Sequence, residues 1–214
     1  MTTSPRPRSS RLRDRSSAVS GLIVLVAMSA VMWLSELVDR VAGGSLDGYG
    51  IRPRDADGLG GIAAAPFLHG GWDHLIGNTV PFLVLGAVIA LGGALRVLGV
   101  TLIVAVVGGL GTWLIAPENT IHIGASGIVF GYAAYLVARG LFTRALWQIG
   151  LGLIVLAVWG TTLLQGIVPE DGISWQGHLF GAVGGVVAAR TIHRRRDAKP
   201  RPAGDPLAGQ LARP

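Results

Sequence analysis

The residues in this sequence best suited to chemistry are a serine and a histidine, each near the start of an apolar run and each flanked by glycine. They are Ser126 in Gly124-Ala-Ser-Gly127 and His178 in Gly177-His-Leu-Phe-Gly181. A serine hydroxyl is a weak nucleophile until a base takes its proton, and a neutral imidazole within hydrogen-bonding reach is a suitable base. His74 and Asn78 stand four residues apart, which puts them on one face of a helix. An imidazole N–H, an amide N–H and the backbone N–H groups at a helix start, such as that of Ser126, are donors suited to the oxyanion of a tetrahedral intermediate. The parts of acyl transfer are therefore present. No carboxylate falls at the same depth, so the pattern points to a dyad rather than a triad.

Each feature also has a plainer reading. Small residues such as those of Gly124–Gly127 are common packing elements between membrane helices. A lone histidine in an apolar run can be a hydrogen-bonded packing residue, and His74 with Asn78 could cap or hydrate a helix start. What favours a site is that three separate helices bring these groups to one depth, at a cost that polar groups in membrane helices must justify. His69 and His122 fall in or beside external loops, where an exposed histidine costs little, and His193 belongs to a basic tail. Paired ligand spacing and intramembrane carboxylates are both missing, so no metal is expected. With no cysteine in the chain, disulfides, thiolate metal sites and a cysteine nucleophile are excluded. A serine–histidine mechanism implies no cofactor.

The elements that must position these residues are membrane helices. Half of the 214 residues are hydrophobic, only 14% are charged, and the mean hydropathy is +0.55, which suits a bilayer rather than water. A span needs about 20 apolar residues, and six stretches qualify: 18–38, 75–95, 97–115, 121–141, 145–167 and 173–192. The first lacks a small-residue cleavage site ahead of Glu36 and Asp39, so it reads as a retained helix and not a signal peptide. The chain thus divides into a disordered basic tail (1–17), an all-α six-helix membrane domain (18–192) and a second basic tail expected to be disordered (193–214). Six spans put both termini on one side. That side collects the arginines of both tails with Arg96, Arg139 and Arg144, against only Arg40, Arg52 and Arg54 opposite, so both termini are expected in the cytoplasm. The net charge of +6 sits at the tails, beside anionic lipid, and does not call for nucleic acid. Gly177, Gly181 and Gly185 form a stripe on the sixth helix, and Gly127 and Gly131 a shorter one on the fourth. If these faces meet, Ser126 and His178 come into reach.

The segment Pro66-Phe-Leu-His-Gly-Gly-Trp-Asp-His-Leu-Ile-Gly-Asn78, with Gly124-Ala-Ser-Gly127 and Gly177-His-Leu-Phe-Gly181, resembles the motifs of the rhomboid family of intramembrane serine proteases. Order and spacing match across about Ser20 to Arg190. The resemblance implies a six-transmembrane-helix rhomboid-like bundle with Ser126 as nucleophile and His178 as general base. It assigns the oxyanion site to His74, Asn78 and the Ser126 N–H, with Gly124, Gly127, Phe130 and Gly181 in support. It further implies that single-span or other membrane proteins are cut in or near their transmembrane segment, in a bacterial plasma membrane, and leaves the oligomeric state open. Two departures stand out. The first external loop lacks the Trp-Arg pair common in the family, and Phe130 replaces a frequent tyrosine, keeping a ring that can stack on His178 without the hydroxyl. The competing readings are a catalytically silent rhomboid-like protein that binds membrane clients, and a small transporter, which would want a charged pathway or broken helices.

Overall fold

The computed structural model describes residues 8–170 and 172–197. Six long helices account for most of them: α1 (Arg8–Val41), α2 (Trp72–Ala90), α3 (Ala94–Ile115), α4 (Ser126–Thr143), α5 (Leu146–Gly166) and α6 (Trp175–Asp197). The loop between α1 and α2 is a chain of short turns, Leu46–Tyr49, Ala56–Gly60, Gly61–Ala64 and Ala65–Phe67. No strand forms among the described residues; a single antiparallel bridge joins Ile51 to His122.

The fold is all-α and fits a rhomboid-like membrane bundle. Valines and leucines of α1, α3 and α5 remain widely exposed, among them Val26, Leu102 and Leu153. So much apolar surface is intolerable in water and ordinary in lipid. Five of the long helices are long and apolar enough to cross a membrane. The exception is α6, expected from the sequence to span like the rest. Its composition has a packing reason: α6 lies between α3 and α4 and spends its surface on protein contacts. Added Cβ atoms at Gly181 and Gly185 would strike the Gly127 and Gly131 carbonyls of α4, and one at Gly184 would lie 2.9 Å from the Val104 Cα of α3. Small residues let the backbones touch, and dispersion at that range replaces the hydrophobicity the helix lacks.

Helix α4 is the most enclosed of the set, with ten buried residues from Ile128 to Gly140. Tyr132 anchors it, stacked on Phe82 of α2 with ring centroids 5.6 Å apart and its hydroxyl 2.6 Å from Thr101 Oγ1 of α3. Helix α5 is held differently. It packs mainly on α4 and buries only Gln148, Gly152, Val155 and Gly166.

Two expectations about the tails change. Helix α1 starts at Arg8, so residues 8–17 are helical where a disordered tail is expected; nothing between Arg8 and Val41 breaks a helix, and propagation outward from the apolar run is cheap. Helix α6 likewise runs to Asp197, past the expected boundary at 192. The tail expected to be disordered at 1–7 and 198–214 lies outside the described residues.

Candidate active site

Gly124 shapes the turn that delivers Ser126. Its φ of +108° is closed to most side chains, and a Cβ there would lie 2.6 Å from both Cε1 and Nε2 of His74. The chain then enters α4 with Ser126 as the first helical residue, where the backbone N–H groups have no intrahelical acceptor. Across the seam, one turn into α6, His178 Nε2 lies 2.8 Å from Ser126 Oγ. His178 Nδ1 lies 2.7 Å from the Gly166 carbonyl oxygen. A carbonyl can only accept, so Nδ1 carries the proton and Nε2 is left free to accept from the serine hydroxyl. Phe130 stacks on the imidazole with centroids 4.1 Å apart and planes 8° from parallel. The ring is clamped between Phe130 and the end of α5.

His74 and Asn78 face the same turn. Asn78 is buried and gives one amide N–H to the His74 carbonyl at 2.9 Å, which leaves its second N–H for another acceptor. The Gly70 N–H points at His74 Nδ1 from 3.4 Å, so the neutral imidazole holds its proton on Nε2, the atom that closes on Gly124. Two side-chain donors and the start of α4 therefore converge beside Ser126. Gly127 and Gly181 lie in the seam itself, where their lack of side chains permits the approach.

Three residues matter here that the sequence places elsewhere or leaves unnoticed. His69, expected as an exposed loop histidine, is 1% exposed and accepts the Ala125 N–H at 3.3 Å, because the short turns of the first loop fold over the Ser126 approach. Burial, with the nearby His74 adding to it, pushes its imidazole down to about 4, so it is neutral at pH 7. His122, also expected to be exposed, is half-buried between Thr120 and Ser174, at 2.8 and 2.7 Å, and burial lowers its pKa as well. Gly166 acts through a backbone atom at the end of α5, where carbonyls lack helical partners. The only sequence signal for it is glycine at a helix end.

Without a Trp-Arg pair, the first loop is tied down in other ways. Arg40 pairs with buried Glu36 at 2.8 Å, and Asp39 accepts the Leu46 N–H at 2.6 Å. Asp47, beside them, has its carboxyl pushed up by burial and by the charges of Asp39 and Glu36. Farther along, Trp113 Nε1 donates to the Asp55 carbonyl at 2.9 Å, and the Arg54 N–H to the Trp113 carbonyl at 3.0 Å.

Ser126 and His178 line a cavity of about 1040 Å³ with His74, Asn78, Phe130 and Gly166. A smaller pocket of about 50 Å³, also lined by Ser126, is walled by Ala65, Gly108, Thr112 and Gly177. The arrangement can activate a hydroxyl, stabilise an oxyanion and admit a chain. No group of three or more metal-ligating side chains occurs among the described residues.

Comparison with known proteins identifies the family. The family model of the Rhomboid domain matches residues 58–195. An uncharacterised protein of Mycobacterium tuberculosis is 46% identical over 197 residues, covering 88% of this chain and 82% of the relative. One of Mycobacterium leprae is 47% identical over 180 residues, covering 80% and 70%. The Bacillus subtilis protein YdcA, which carries the rhomboid protease name, is 29% identical over 133 residues, covering 62% and 66%. The chain is an integral membrane protein and belongs to the rhomboid family.

Proposed function

We propose that the chain is an intramembrane serine endopeptidase with Ser126 as nucleophile and His178 as general base. The observation that carries this reading is the Ser126–His178 contact of 2.8 Å, with the tautomer set by the Gly166 carbonyl. Ser126 passes its proton to His178 Nε2 as Oγ attacks the scissile carbonyl carbon. The oxygen of the tetrahedral intermediate takes the Ser126 N–H, the free Asn78 N–H and His74 Nε2–H. The imidazolium formed is stabilised by the Phe130 face and by the negative end of α5, then protonates the leaving amine. Water, activated by the same imidazole, releases the acyl group.

The substrate is a membrane-anchored protein, single-span or otherwise, cut in or near its transmembrane segment. A bond within an intact helix is shielded, and hydrocarbon forbids its backbone to open, so cleavage needs a segment that unwinds where water reaches. The arginine bias places both termini in the cytoplasm and the site near the outer face of a bacterial plasma membrane, in keeping with the mycobacterial relatives.

The test is cleavage of a single-span substrate with a destabilised helix, by purified protein in liposomes. Ser126→Ala and His178→Ala should lose on the order of 10⁶ in turnover, and Asn78→Ala roughly 10² to 10³. Cleavage by folded Ser126→Ala would disprove the mechanism. A wild type that neither cleaves nor takes a fluorophosphonate at Ser126 would instead favour a silent client-binding protein.

A further inference from the structure

The cavity that holds Ser126 and His178 holds a second serine–histidine pair, with histidine on the approach to α4 and serine on the approach to α6. His122 precedes Ser126 by four residues, and Ser174 precedes His178 by four. His122 Nδ1 lies 2.7 Å from Ser174 Oγ, while Ser126 Oγ lies 2.8 Å from His178 Nε2. One contact thus repeats the other a step farther out, with histidine on the α4 side and serine on the α6 side.

The chain of donors fixes the outer pair. Thr120 gives its hydroxyl proton to the Pro117 carbonyl at 2.6 Å, so its oxygen accepts from His122 Nε2–H at 2.8 Å. His122 Nδ1 is then the acceptor and Ser174 the donor. The backbone of His122 is pinned as well, exchanging two hydrogen bonds with Ile51 of the first loop at 2.9 and 3.0 Å. Ser174 in turn immediately precedes α6, and its carbonyl accepts the His178 N–H at 3.1 Å.

We infer that His122 is a positioning residue, which holds Ser174 and so the first turn of α6 in the register that puts His178 against Ser126. His122 itself is four residues short of the nucleophile and needs no contact with substrate for this. The glycines below fix how closely α4 and α6 approach, and the outer pair fixes how α6 starts. Displacement of a base by about 1 Å can cost on the order of 10²-fold in rate, so a modest link suffices.

This role in catalysis rests on the protease reading, and the experiment separates the two. His122→Leu removes the acceptor, Ser174→Ala the donor, and His122→Asn restores an acceptor oxygen in the place of Nδ1. With full-length protein in liposomes, His122→Leu and Ser174→Ala should each lower kcat about 10-fold, the worth of one neutral hydrogen bond or somewhat more, with KM unchanged. The double variant should be no worse than either single one, and His122→Asn should recover most of the rate. Amide exchange at residues 174–178 should quicken in His122→Leu and Ser174→Ala and return to normal in His122→Asn, whether or not the protein cleaves anything. Exchange unchanged in both, kcat unchanged in both, or His122→Asn as impaired as His122→Leu overturns the inference. A wild type silent toward substrate and fluorophosphonate sinks the protease reading and the catalytic role with it, while the exchange data still decide the structural link.

Discussion

Helix α6 carries His178 and helix α5 contacts it, yet the two are held by opposite means. Helix α6 is joined to α4 by backbone contact, with Gly181 and Gly185 against the Gly127 and Gly131 carbonyls. Such a seam has one register, because any slide drives a carbonyl into a Cα. Helix α5 rests mainly on α4 and leaves residues such as Leu153 and Val158 exposed. It nevertheless contributes the Gly166 carbonyl that orients the imidazole. The two groups of the proposed dyad are thus carried by the rigid pair, and the group that sets the tautomer by the helix with fewer ties. A serine–histidine pair proposed to react tolerates little error in distance, while a carbonyl acceptor works over a broader range of directions.

The strongest way to break this contrast is Gly181→Leu, which forces the seam apart. Turnover should fall by 10² or more, since displacements of about 1 Å carry that cost, and fluorophosphonate labelling of Ser126 should fall with it; retained labelling in folded protein would mean the seam does not set the site. Gly166→Ala acts on the other arm. The added carbon meets the Phe130 ring and lies 3.0 Å from His178 Nδ1, and overpacking of that kind costs about 1–3 kcal/mol. Labelling rate should drop roughly 10-fold, the scale of one hydrogen bond, and a normal rate would show that α5 can yield. His69 sharpens the rigid side through pH. Its folded pKa of about 4 lies below the ordinary 6.5, so between those values the unfolded chain binds a proton that the folded one refuses. That contribution to stability is complete above pH 6.5 and is lost as pH falls towards 4. In His69→Gln, which keeps an acceptor for the Ala125 N–H, the melting temperature should depend less on pH over this window; equal slopes in both proteins would contradict the burial of His69. Smallest of all, Leu153→Ala on the exposed face of α5 should shift stability by no more than about 0.5 kcal/mol and leave cleavage unchanged, because lipid replaces lipid.

What was legible in the sequence depended on side chains out of place. Polar groups inside apolar runs marked Ser126, His178, His74 and Asn78 as a set, and glycines at four-residue spacing on two helices announced the seam. Phe130 was readable only through the resemblance to the rhomboid family, as the residue at the place of a frequent tyrosine. Gly166 was not, because the working atom is a carbonyl that every residue owns and only the end of α5 makes available. His69 and His122 were misread as exposed because short turns with no strong pattern fold over them, and burial of a loop is a tertiary fact. The membrane-crossing character of α6 raised the reverse difficulty, with a composition set by its neighbours and not by lipid.

That composition has a consequence for how the chain is made. Alone, a segment with Gln176, His178 and four glycines between 177 and 185 is a poor passenger for the insertion machinery, which admits helices by their own affinity for lipid. Synthesised last among the long helices, α6 meets α3 and α4 already in the bilayer, and their surfaces can supply what hydrocarbon does not. Glycosylation mapping should find α6 stranded outside the membrane when fused to an unrelated anchor and inserted when it follows its own chain. Until α6 is drawn in, Ser126 lacks the imidazole that lies 2.8 Å from it, so on the protease reading the nucleophile is switched on only when this helix docks.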